Sequence, residues 1–250
     1  MVVALTVLAA DGWWLLRTRE PARQTPPAVL AEAVSQAAAM TSVKATFTTQ
    51  VAGLTTVFGR ISEQLKPDRA TLTMTTVDGA DRFSVAEVVT DSVVYLRAAS
   101  LANAVGKPWI SVPITGLSAD PALVGLYQTE AIPTADAALI GTAAVVRSAG
   151  TGTVDGVRTT RYVGTIDPAA TLRRLSPAIR QLLAPELGAA TGTVRFVAWI
   201  DGQHNLCEVQ MSATVGGLST ATTVVLHALN ATVHITVPAP SQVSAVTLAS

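Results

Sequence analysis

The residues that could do chemistry in this chain are few and scattered. The candidate metal ligands and thiol nucleophile are three histidines (His204, His227 and His234) and a single cysteine (Cys207). A metal centre needs three or four donors with partners behind them. His227 and His234 fall on neighbouring strand-like segments and can approach one another, but no Cys or acidic residue sits at a ligand spacing from them. We therefore expect no metal site and no cofactor. His204 reads as a solvated turn residue. Cys207 lies in an alternating segment, where a lone thiol behaves as a small apolar side chain, and no nucleophile signature surrounds it. The chain has no Gly-x-Ser-x-Gly elbow. Gly150-Thr-Gly152 with Gly156 misses the dinucleotide spacing and lies between strands, not ahead of a helix. Asp155, Asp167 and Asp201 each fall at a turn or a helix cap, where a short acceptor side chain has a structural task. The expectation is a protein that is not an enzyme.

What remains is an apolar set. Phe47, Leu72, Met74, Phe83, Val85, Tyr95, Phe196 and Met211 fall on strand-like segments and are expected to share one inward face, with Leu123, Tyr127, Leu175 and Ile179 on helical stripes opposite them. For each residue taken singly, ordinary core is the simpler account. Taken together, they line more surface than the short helices can fill, and an unfilled apolar concavity is a ligand site. Each buried methylene contributes about 0.8 kcal/mol, so acyl chains can be held without a polar motif.

Composition points the same way. The chain has 250 residues, 49% of them hydrophobic but only 4% aromatic, and 14% charged, with 17 basic and 17 acidic residues. Mean hydropathy is +0.43. A zero net charge gives no electrostatic footprint for nucleic acid. No apolar run of spanning length, about 18 residues, occurs after Arg19, so the excess apolar content belongs to the folded body. Residues 1–22 are expected to be a truncated signal or membrane-anchor segment: Met1 to Leu16 is apolar apart from Asp11-Gly12, and Arg17 and Arg19 follow. With no cysteine nearby, a lipid anchor there has no support. Residues 23–27 read as a linker and 28–250 as a single domain.

The periodicities place the elements. Pro26-Pro27 can open a helix through Met40, with Leu30, Val34 and Ala37 on one stripe. Period-two runs then predict strands at 43–51, 55–65, 69–77, 82–90, 92–97 and 109–112. Asp78-Gly79 supplies a hairpin turn. Helices are expected after Asp120-Pro121, over 134–140, and after Asp167-Pro168, the last of these broken at Pro177. Strands return at 143–154, 157–166, 193–201, 205–215, 219–229 and 231–237. The fold class is α+β, a single strongly curved antiparallel half-barrel sheet of about ten strands, with helices covering its concave face.

Three runs in this order carry a resemblance: Val94-Tyr-Leu-Arg-Ala98, Gly106-Lys-Pro-Trp-Ile-Ser-Val112 and Val154-Asp-Gly-Val-Arg-Thr-Thr-Arg-Tyr162, followed by an exit strand Ile235-Thr-Val-Pro-Ala-Pro-Ser-Gln-Val243. Over residues 28–243 the chain resembles the actinobacterial LppX/LprAFG-type lipoproteins, whose fold is related to the LolA lipoprotein carrier. The resemblance implies an extracytoplasmic, membrane-associated protein that binds or transfers a lipid or acylated ligand. Its implied partners are envelope transport proteins and the membrane surface. It also leaves open a sensory or regulatory envelope domain of the same fold, as in envelope-stress anti-sigma regulators. The family's binding positions are variable and apolar, so no fixed constellation transfers.

Overall fold

The computed structural model describes residues 24–246, apart from 54, 66–67, 115–131, 176–179, 181–183 and 185–186. The N-terminal apolar segment and the expected helix after Asp120-Pro121 lie outside the described residues.

Helix α1 (Pro26–Ala38) starts on the prolines, since a ring-locked φ suits the first helical turn. The proposed linker therefore runs into the helix. Val29, Leu30, Ala33 and Ala37 form the buried stripe of α1. Strands β1 (Ser42–Val51), β2 (Thr55–Leu65), β3 (Asp68–Asp78), β4 (Asp81–Val89), β5 (Val93–Ala98) and β6 (Trp109–Pro113) form one antiparallel meander. Helix α2 (Ala99–Val105), which the periodicity did not predict, bridges β5 and β6 and ends on Gly106 in the left-handed region at φ 70°. Helix α3 (Ile132–Ile140) precedes the second meander, which is β7 (Val145–Val154), β8 (Val157–Ile166), β9 (Ala190–Asp201), β10 (Leu206–Val215) and β11 (Leu218–Leu229). Between β8 and β9, helix α4 (Pro168–Arg174) is capped by Asp167, whose carboxylate accepts from the Ala170 amide at 2.9 Å.

β1 pairs with β11, joining the two meanders and a last short strand, β12 (Val243–Ala245), into one unclosed, curved, twelve-stranded sheet in the order β12-β6-β5-β4-β3-β2-β1-β11-β10-β9-β8-β7. The predicted strand at 231–237 is a correction. β11 already has β1 and β10 on its two sides, so no ladder position is free for an immediate continuation. Asn230 turns the chain out at φ 56°, and its side chain accepts from the Thr41 amide at 2.8 Å. The chain re-enters only as β12 (Val243–Ala245), which pairs parallel with β6.

α1 and α3 pack on each other and against β7, β10 and β11, α4 packs on β9, and α2 packs on β5 and β6. One large buried cluster joins α1 and α3 to β1–β3 and β8–β11. A second, on β3–β6, contains Val85, Val94, Leu96, Ile110 and Val112. The two meet on β3, where Ala70 belongs to one and Leu72 to the other.

Candidate functional site: the concave face of the sheet

Strand register decides which side chains share the face that the helices cover. Phe47 lies opposite Gly59 and Val224; Leu72 opposite Ile61 and Glu87; Met74 opposite Gly59 and Val85; Phe196 opposite Gly164 and Met211. Directly opposed residues share a side of the sheet, so Phe47, Leu72, Met74, Val85, Phe196 and Met211 all line the concave face as expected. Leu175, just beyond α4, is buried in the larger cluster. Two of these aromatics lie over glycines. A Cβ on Gly59 would stand 2.7 Å from Cε1 of Phe47, and one on Gly164 would stand 2.6 Å from Cε1 of Phe196. Each ring therefore folds across its neighbouring strand and makes a flat floor, where an upright side chain would otherwise fill the cup.

Toward the ends carrying the β1–β2, β3–β4 and β10–β11 turns, no helix among the described residues covers this face. Val57, Met74, Met211 and Ala213 are only partly buried there, and Phe83, in phase with Val85, is 49% exposed. The opening is an apolar lip. At the opposite end, a recess of about 170 Å³ lies between the α1 C-terminus and β10–β11, lined by Ala37, Met40, Leu206, Leu226 and Leu229 among others. That volume admits the end of a chain, well short of the roughly 300–1,000 Å³ of a drug-sized site. A depression of about 720 Å³, open and polar, is lined by Gln50, Thr193, Arg195, Ser212 and Thr214 on the other side of the sheet.

Tyr95 is a correction. It pairs with Val88 and Ser111 on the convex side, because Val94, Leu96 and Ala98 take the inward phase of β5. Leu123, Tyr127 and Ile179 lie outside the described residues. The concave face also holds polar residues that the apolar search passed over. Glu63 pairs with Val43 and Ala70, and Glu87 with Leu72 and Leu96; they are 6% and 1% exposed. Asp136 on α3 and Tyr162 on β8 are buried as well. Burial raises the Tyr162 hydroxyl above its ordinary range, against the hydrogen bond from Thr160. The signal for the glutamates was present: in Ile61-Ser-Glu63 and Val85-Ala-Glu87-Val88-Val89 they occupy the inward phase of an apolar alternation.

The chemically capable residues sit elsewhere, on the convex side. Asp155 and Gly156 form the β7–β8 turn with φ 47° and 81°. That hairpin tip folds toward β11, where Asp155 Oδ2 meets His227 Nδ1 at 2.5 Å, and His227 Nε2 lies 2.8 Å from Thr46 Oγ1. The order carboxylate, imidazole, hydroxyl is that of a nucleophile relay. However, Thr46 is mid-strand on β1, whose amides are committed to β2 and β11, so β1 itself offers the hydroxyl no pair of free N–H groups of the kind an oxyanion hole uses. Cys207 is half-buried and its thiol is pushed up to about 11, first by burial and then by the charge of Asp201, so it is protonated at neutral pH and a poor nucleophile. The Asp201 carboxylate is occupied by the amides of Gln203 and Asn205, both at 2.8 Å. Among the described residues, no group of three or more His, Cys, Asp or Glu is placed to hold a metal ion.

No family model matches the chain, and no curated protein matches it either. Among solved structures it is similar to LprF from Mycobacterium bovis, at 17% identity and TM-score 0.55 over 86% of this chain and 97% of that one. It is also similar to the Mycobacterium tuberculosis lipoprotein LppX, at 21% identity and TM-score 0.53 over 85% of this chain and 100% of that one. At these identities the likeness is one of fold, and it spans both meanders.

Proposed function

We propose that this chain is an extracytoplasmic, membrane-associated lipid-binding protein that holds acyl chains against the concave face of its sheet, and that it carries its ligand without transforming it. The observation that supports this reading most directly is the apolar lip. Val57, Met74, Met211 and Phe83 lead from solvent onto a floor flattened by Phe47 over Gly59 and Phe196 over Gly164. Apolar residues left accessible together at one end of the inner face offer an apolar ligand a place to enter. The shared fold with LppX, a lipoprotein, is in keeping with it. Selectivity for long chains would come from buried area at about 25 cal/mol per Å², not from a polar constellation.

Native mass spectrometry of the purified full chain tests the proposal. The expected spectrum carries adducts of lipid mass that organic extraction removes and that an added fatty acid restores. A single apo mass that no added lipid shifts would exclude the carrier reading.

A further inference from the structure

The chain is formally neutral, with 17 basic and 17 acidic residues, but its sheet distributes the two signs unevenly. Glu63 and Glu87 point to the concave side and are buried. On the convex side, six strands each present one exposed cation: Lys44, Arg60, Arg82, Arg97, Arg147 and Arg195. The carboxylates on this side are Glu208, which accepts from Gln210 at 2.6 Å, Asp201 at a strand end, whose oxygens are taken up by its own turn, and Asp155 in the β7–β8 turn, which meets His227. Arg82 and Arg97 lie over the rings of Phe58 and Trp109 at 5.7 and 4.9 Å, so cations and aromatic faces alternate on this surface.

The charge converges best at the open-edge end. Arg147 on β7 lies opposite Val163 and Arg195 on β9 lies opposite Thr165, two residues along the same face of β8, and with Val145 and Val197 these residues line a depression of about 390 Å³ with no carboxylate in it. Val145, on the edge strand, is 66% exposed. Paired arginines recognise a phosphate through several donors at once, and an exposed valine floor beside them favours a ligand with an apolar neighbour. An anionic bilayer surface offers both, whereas a soluble polyanion offers only the first.

We propose that the convex face of β7–β9, centred on Arg147 and Arg195, docks the protein onto anionic phospholipid membranes. The proposal rests on the lipid-carrier reading for its purpose, because a carrier must reach a bilayer, but it concerns a different face of the sheet. The test is co-sedimentation of the full chain with phosphatidylglycerol/phosphatidylcholine vesicles and with pure phosphatidylcholine vesicles, at low and high salt, with a dansylated fatty acid titrated in parallel. Each cation near an anionic surface is worth about five-fold in affinity. Arg147→Gln/Arg195→Gln should therefore lose about 30-fold for the anionic vesicles at low salt, while dansyl binding and thermal melting stay as in the native chain. Arg60→Gln/Arg97→Gln, at the far end of the same face, should lose much less. Native-strength vesicle binding by the first pair, or an equal loss in the second, would overturn the assignment. So would binding of heparin without binding of the vesicles. A chain that binds anionic vesicles through Arg147 and Arg195 but takes up no dansylated fatty acid would leave the docking face standing and remove the carrier reading.

Discussion

Met74→Trp separates a ligand-holding face from a filled core in a single variant. Met74 lies between Gly59 and Val85 on the concave face, near the open lip, and is only partly buried. Gly59 leaves no side chain beside it, and the Phe47 ring lies flat over that glycine. An indole at position 74 would extend over this floor. If acyl chains lie there, it displaces about three methylenes, at about 0.8 kcal/mol each, or about 2.4 kcal/mol in all. This corresponds to about 60-fold in Kd for a fatty acid. The melting temperature should shift by no more than ~2 °C, since a partly buried position beside an open lip can direct the larger ring outward. If the face is an ordinary packed core, overpacking should cost about 1–3 kcal/mol instead, or ~2–12 °C in Tm, and leave no ligand effect to measure. Fluorescent fatty-acid titration and circular-dichroism melting on the same sample give both numbers. A large fall in Tm with unchanged affinity would refute the reasoning. Leu72→Trp is the internal control: at 1% exposure inside the larger cluster, it should destabilise under either account.

Other outcomes follow from the same geometry. Gly164→Ala places a methyl 2.5 Å from the Val145 carbonyl oxygen and 2.6 Å from the Phe196 ring and should cost about 1–3 kcal/mol by chemical denaturation; Phe196→Leu in the same chain relieves only the contact with the ring, so the recovery should be partial. Cys207 should react with a thiol reagent at pH 8 far more slowly than a free cysteine, because its thiol is pushed up to about 11. The folded state therefore keeps this proton after the unfolded chain has lost it, so the thiol's contribution to stability is intact below pH 9 and is lost between pH 9 and about 11. A thermal melt series across that window should fall more steeply for the native chain than for Cys207→Ala. Asp155→Asn removes the charge that meets His227. At so exposed a pair the stability change should stay within about 1 kcal/mol, while hydrogen exchange at the 154–157 turn should quicken.

Much of this fold is local. Period-two alternation in β1–β4 and β7–β11, the Asp155-Gly156 and Asp78-Gly79 turns, and the Asp167-Pro168 cap each act within a few residues, and the structure puts them where the pattern does. The inward phase of Phe47, Leu72, Met74, Val85, Phe196 and Met211 was likewise legible, because a strand's two faces alternate strictly. Tyr95 fails for the same reason. Being aromatic suggested the interior, but the phase of β5 belongs to Val94, Leu96 and Ala98, and only pairing with β4 and β6 reveals which set faces the helices. Tertiary structure alone decided the long-range features: β1 meeting β11 to join two meanders, β12 closing parallel on β6, and Asp155 reaching His227 from 72 residues away. It also decided that buried glutamates and exposed arginines take opposite sides of one sheet in a neutral chain. Net charge is a sum over residues, whereas a surface potential depends on where register and curvature put each of them.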